Sequence, residues 1–270
     1  MLCFGRRNRS DDKRQFLSKE KLDKISKRRC KKMGVISSIT PPYSSMVSKI
    51  RTVYNQGRTN SCTANAICQA FNILNTTDTS FNPSRLYIYA RERYLESGMR
   101  VNSPMTDTGA NECDGLYWAT TIGICSDKLW PFNQSKVDVQ PPQSYDRDAC
   151  RHRIFDVFEV PRDIQSIRSI LHSGYPILAA IAVYDSFMSE EVANTGIVPM
   201  PEGEFIGGHE VVVVGYDDVN ERVIVVNSWG KEWGCKPEGA QTRGYFYLPY
   251  QYILGSSCYA LFSFDKIINV

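Results

Sequence analysis

Apolar side chains recur at helical spacing in the first part of this 270-residue chain and crowd into strand-like runs in the second. Cys62 is followed by Ala64, Ala66, Ile67, Cys68, Ala70, Phe71, Ile73 and Leu74, which predicts a helix over 63–74 with a buried face and Cys62 at its N-terminus. Ser61 can cap that turn. Asn82 as cap and Pro83 in the first helical position predict a second helix carrying Leu86, Ile88, Tyr89 and Tyr94. "NECDGLYWATTIG" predicts a shorter one ending at Gly123. Beyond about residue 155, "IQSIRSILHSG" is one more helix, followed by "PILAAIAV", "HEVVVVGY", "RVIVVNSW", "GYFYLPY" and "CYALFSF", all strand-like. The pattern predicts an α+β chain with a helical lobe over 43–155, a β-rich lobe over 156–270 and a cleft between them as the natural site.

The region before these lobes reads differently. Residues 1–42 form a basic arm: the first forty residues carry a net charge of +9, whereas 41–270 carry −6, giving +3 in all. Ser10, Asp11 and Asp12, then the bases Lys27 to Lys32 and Gly34, are helix start and stop signals, so a helix is expected within 11–33. Its apolar residues Phe16, Leu17, Leu22, Ile25 and Met33 are sparse, so such a helix needs a surface to lie on. Two uses are open for the arm: docking on its own acidic body, or contact with nucleic acid or an anionic membrane.

Composition narrows the class without naming a chemistry. A hydrophobic fraction of 42% excludes disorder throughout, and no apolar run is long enough to span a bilayer. The start has no apolar segment before its charges, so an intracellular location is expected, or packaging in a particle assembled inside a cell, such as a virion. Nine cysteines, with no C-x-x-C and no nearby histidine doublet, predict reduced thiols and no structural zinc.

Candidate chemistry begins at Cys62, because unpaired amides and the helix macrodipole favour a thiolate at a helix start. A nucleophile needs a base. Of the three histidines, His209 opens the apolar strand "HEVVVVGY" behind two glycines, a place from which a side chain can face the cleft. Asn227 ends the next strand. A hairpin joining 210–216 to 222–227 sets its amide oxygen against the imidazole, with Trp229 keeping water off that bond.

These residues resemble the papain-like cysteine peptidase family over roughly residues 43 to 270, in its cathepsin-like, non-secreted form as in bacteria or large viruses. "GGHEVVVVGYDD", "NSWGKEWG" and "GYFYLPYQYI" carry the likeness, and His209 and Asn227 lie 147 and 165 residues past Cys62. The resemblance implies the papain-like two-lobe fold, a helical lobe and an antiparallel β-barrel-like lobe flanking the cleft. It implies a thiol protease that hydrolyses peptide bonds through a Cys62 acyl-enzyme, with His209 as base and acid and Asn227 as orienter. Gln56, six residues before Cys62, would complete an oxyanion hole with the Cys62 N–H. Gly109 (or Gly115), Gly208 and Trp229 are implied to meet the substrate, and Gly207 to leave a subsite wall open. Family members are commonly made as zymogens with an N-terminal prosegment; the arm over 1–42 stands in that place, but it is short for one and shows no clear match to the usual pattern, so its docking is expected from its charge and sparse apolar residues. Peptides or proteins are the implied substrates; no metal or cofactor is called for, and a monomer is expected.

The chain also departs from the family pattern. The family usually shows C-G-S-C-W where this chain has Thr59-Asn60-Ser61-Cys62-Thr63, which removes a customary disulfide and places Asn60 where a glycine would flank the substrate. The alternatives are a catalytically silent binding protein with this fold, or a thiol acyltransferase or deamidase.

Overall fold

The computed structural model describes residues 40–99 and 105–269. The helix expected within 11–33 lies outside the described residues. Among the described residues four helices carry most of the helical content: α1 (Cys62–Leu74), α2 (Arg85–Glu96), α3 (Glu112–Thr121) and α4 (Ile164–His172). Seven strands, β1 (Tyr43–Ser45), β2 (His152–Glu159), β3 (Ile177–Tyr184), β4 (Phe205–Asp217), β5 (Arg222–Val226), β6 (Tyr245–Pro249) and β7 (Cys258–Asn269), form one antiparallel sheet ordered β2-β7-β3-β4-β5-β6, with β1 beside β4. The sheet is open: among the described residues its path runs from β2 to β6 without closing, so the barrel-like expectation becomes an open sheet with two ends.

Burial explains the strands. β3, β4 and β5 are runs of Val, Ile and Ala buried on both faces, and a sheet covered on both sides carries such continuous apolar sequence. α4 covers part of it, held by the Asp163 cap to the Ser166 N–H and burying Ile167, Ile170 and Leu171. α1 lies between the two lobes. It packs on α2 and α3 in one direction and on β4, β3 and β7 in the other.

Chain order does not divide the lobes as the sequence suggests. β1 falls at the start of the segment assigned to the helical lobe, yet it pairs with the end of β4, and Pro41 and Pro42 in the arm assignment already accept hydrogen bonds from the Tyr216 hydroxyl and the Asp218 N–H. The boundary at 155/156 falls inside β2, which pairs with β7. Both strands lie at the sheet's margins and bury only some of their side chains, which weakens their sequence signal.

The start of α2 is also displaced. Ser84, not Asn82, is the cap: its Oγ accepts the Tyr87 N–H at 3.1 Å and donates to Trp130 O. Asn82 instead takes the Tyr54 hydroxyl and the Asn72 amide, while Pro83 sits in an extended bridge to Ser126.

Candidate active site

Cys62 is the first residue of α1 and is fully buried. Ser61 occupies the cap position, but its hydroxyl makes no capping bond. It pairs with Thr59 Oγ1 at 2.7 Å and accepts Asn65 Nδ2 at 3.0 Å. Burial pushes the thiols of Cys68, Cys125 and Cys235 up, Cys235 to about 11, which keeps them protonated at neutral pH.

The loop before Cys62 is fastened by Gln56. Its N–H donates to Ser228 O at 2.8 Å, its Nε2 donates to Thr59 O at 2.8 Å and its Oε1 accepts the Ser228 hydroxyl at 2.5 Å. The Ser228 and Thr59 contacts thus fix the plane of the Gln56 amide. Gly57 turns the chain at φ +59°, and a side chain there would strike Gln134.

His209 faces Ile181 across the β3–β4 ladder and is fully buried. Its Nε2 is 2.8 Å from Asn227 Oδ1, as the predicted hairpin requires. The same Oδ1 accepts the Ser228 N–H at 2.8 Å, which fixes the oxygen end of the amide. Nε2 must then carry the proton, and the neutral ring keeps its lone pair on Nδ1. Burial lowers the histidine's pKa to about 4, against a smaller upward pull from the Asn227 bond, so the ring is neutral at pH 7. Trp229 stacks on it, ring centroids 4.8 Å apart, and is itself walled by Phe187 and Trp233.

The sequence-predicted residues fall into two groups. Cys62 on α1 and His209 on β4 stand on packed elements, and Gln56, Asn227 and Trp229 join them through Ser228 and the ring stack. Gly208 is buried opposite Ala182 and Gly207 is half-buried beside Val183. Gly109 turns at φ +80° and gives its N–H to the Tyr89 hydroxyl at 3.0 Å. Gly115 is a packing residue: a β-carbon there would lie 2.2 Å from Glu92 Oε1. His152 stacks on Phe81, outside this group.

Ser228 escaped the sequence reading, although it binds both Gln56 and Asn227. Its position inside "NSW" was the available signal. Asp107, which ties to Asn60, was missed because nothing in its local pattern separates it from an ordinary loop carboxylate.

Comparison with known proteins covers nearly the whole described chain. The family model described as Papain family cysteine protease matches residues 43–251. An uncharacterized peptidase C1-like protein of Acanthamoeba polyphaga mimivirus is 36% identical over 212 residues, which cover 74% of this chain and 64% of the relative; the chain thus spans under two thirds of that protein's length. Xylellain, a cysteine protease from Xylella fastidiosa, superposes with a TM-score of 0.77 at 27% identity, covering 97% of this chain and 96% of its own. A procathepsin B from Trypanosoma congolense shares the fold alone, with a TM-score of 0.65 at 16% identity, over 97% and 87% of the two chains.

Proposed function

This chain belongs to the papain family of cysteine proteases, and on that premise we propose that it hydrolyses peptide bonds through Cys62. The observation that carries the reading is the His209 Nε2–Asn227 Oδ1 bond of 2.8 Å, on a strand packed against the helix that Cys62 begins. The bond places the accepting lone pair on Nδ1. His209 takes the thiol proton there as the Cys62 sulfur attacks the peptide carbonyl carbon. The carbonyl π electrons move onto oxygen, where the Cys62 N–H and Gln56 Nε2 donate to the oxyanion. Collapse breaks the C–N bond, the amine leaves with the proton from the imidazolium, and a thioester remains. Water, deprotonated by the same Nδ1, hydrolyses the thioester and returns the thiol.

Asn227 keeps the ring in one tautomer through both half-reactions, and Trp229 excludes water from that bond. Gln56 is held in plane by Ser228, so its donor is already oriented when the oxyanion forms. The basic arm is proposed to restrain this site by docking on the acidic body, a reading in keeping with the proform among the fold neighbours. Its substrate class is peptides or proteins, and its place of action is the cell interior or a particle assembled there.

Substitution tests the assignment directly. Cys62→Ala is expected to abolish hydrolysis of a diverse peptide library while the chain still folds, and His209→Ala to be nearly as severe. Mass spectrometry after brief iodoacetamide treatment should find label on Cys62. Retained hydrolysis in Cys62→Ala, with label on Cys68 or Cys113, would sink the assignment.

A further inference from the structure

Asp107 stands outside the four assigned groups, yet it joins the loop before Cys62 to the loop that carries Gly109. Its Oδ1 and Oδ2 accept the Asn60 N–H at 2.9 and 3.2 Å, and its carbonyl accepts Asn60 Nδ2 at 2.7 Å. Oδ1 also accepts the Tyr89 hydroxyl at 2.5 Å, and that hydroxyl in turn accepts the Gly109 N–H. Behind them, Arg93 donates to Thr106 O at 3.0 Å and lies over the Tyr89 ring at 3.8 Å. One carboxylate therefore sets both loops.

Asn60 is two residues before Cys62, so its peptide fixes where the chain enters α1. Peptide planes are rigid, and only the dihedrals at Asn60 and Ser61 separate the clamped amide from that of Cys62. Bonds from N–H groups to an ionised carboxylate are among the stronger ones available to a backbone. No cysteine lies within 55–61 or 105–110, so the tie is indifferent to redox state.

We propose that Asp107 is a positioning residue for the Cys62 site, holding the Cys62 N–H and the Gly109 turn at a fixed separation while a peptide lies between them. The proposal rests on the reading of Cys62 as nucleophile. Asp107 acts through Asn60 on the oxyanion side and through Tyr89 on the Gly109 side, so the two arms can be cut separately.

The test uses the full-length chain and compares Asp107→Ala, Asp107→Asn and Tyr89→Phe by kcat and KM on a peptide substrate, by iodoacetamide alkylation of Cys62, and by melting midpoint. Alkylation by a small reagent needs neither an oxyanion hole nor the Gly109 loop. Asp107→Ala is expected to lower kcat/KM by about tenfold to a hundredfold, the scale of a slight misplacement, with alkylation near the parent rate. Asp107→Asn, whose amide oxygen still accepts, should recover part of the loss. Tyr89→Phe, which cuts only the Gly109 arm, should raise KM and leave kcat near the parent value. Parent values of kcat and KM in Asp107→Ala would overturn the proposal. So would a loss that Asp107→Asn does not relieve and that alkylation and melting midpoint share in proportion, the signature of general destabilisation. Absence of Cys62-dependent hydrolysis in the parent chain would overturn this proposal together with the site reading, and the parent rate alone distinguishes that case.

Discussion

The helical lobe is laced with buried charged groups, whereas the described strands bury mostly apolar side chains, with His152, His209, Glu210 and Ser263 as the polar ones. On the helical side Arg91, Glu92, Arg93, Glu112 and Asp114 are all buried; Arg91 meets Asp146 at 2.6 Å, and Glu92 accepts the Thr63 hydroxyl at 2.8 Å. In the sheet β3 reads ILAAIAVY and β5 reads RVIVV, with every Val, Ile, Leu and Ala buried. In β4 a slip by one residue would turn His209 to the opposite face of the sheet, so the ladder to β3 sets which way the ring points. His209 is held by that ladder and by its bond to Asn227. The chain around Cys62 is held by hydrogen bonds of Gln56 to Thr59, of Asn60 to Asp107 and of Thr63 to Glu92, each of which one substitution can remove.

The comparison is broken most easily at the site itself. Gln56→Ala removes the donor held on the helical side and is expected to lower kcat by about a hundredfold to a thousandfold. Asn227→Ala removes the orienter on the sheet side, but the ring still stacks on Trp229, so its loss of kcat should be smaller than that of His209→Ala. Steady-state kinetics on one peptide substrate reads both. Unchanged kcat in the two variants would make both residues structural and remove the functional meaning of the contrast.

The same contrast explains what could be read from the sequence. Cys62, His209 and Asn227 stood out as candidates because each stands at a change of pattern: a helix start, a strand start and a strand end; Gln56 came only from the family resemblance, six residues before the thiol, and Trp229 from its place just after Asn227. The central strands were legible because burial on both faces writes an unbroken apolar run. β1 and β2 were not, since a marginal strand of half-buried residues reads as neither period. Ser84 lost its place to Asn82 and Pro83 in the sequence because both obey the local rule; the Trp130 carbonyl and the Ser126 bridge, 46 and 43 residues away in the chain, decided between them. Asp107 and Ser228 act through partners remote in sequence, and no local pattern records such a partner.

Stability measurements sharpen the comparison further. Ile224→Ala opens a cavity in a strand that cannot collapse and is expected to cost about 2–5 kcal/mol. Ser84→Ala deletes the α2 cap and should cost about 1 kcal/mol. Chemical denaturation gives both. Equal costs would mean that the caps and ties of the helical lobe are as demanding as the apolar ladder.

The last contrast vanishes near neutrality for the histidine and is seen only on titration. His209 has its pKa lowered from 6.5 to about 4 by burial, so as pH falls through that window the unfolded chain takes up a proton that the folded chain refuses. Stability on this account is lost from about pH 6.5 downwards. Glu92 shows the opposite sign. Burial, then the charges of Glu96 and Asp114, raise its carboxyl well above 4.5, against the Thr63 bond and Arg93, so the folded chain keeps a proton that the unfolded chain releases. Its contribution is full below pH 4.5 and is lost as pH rises towards the raised value. His209→Gln should therefore flatten the acid limb, the rise in unfolding free energy between about pH 4 and 6.5, and Glu92→Gln should remove the opposing fall that begins at pH 4.5 and overlaps it. Each variant should leave the other group's contribution in place, because the two groups lie in different lobes and neither is among the charges acting on the other. A Glu92→Gln chain that flattened the acid limb, or two variants with the parent's profile, would show that the lobes do not carry their buried charges in the separate ways their interiors imply.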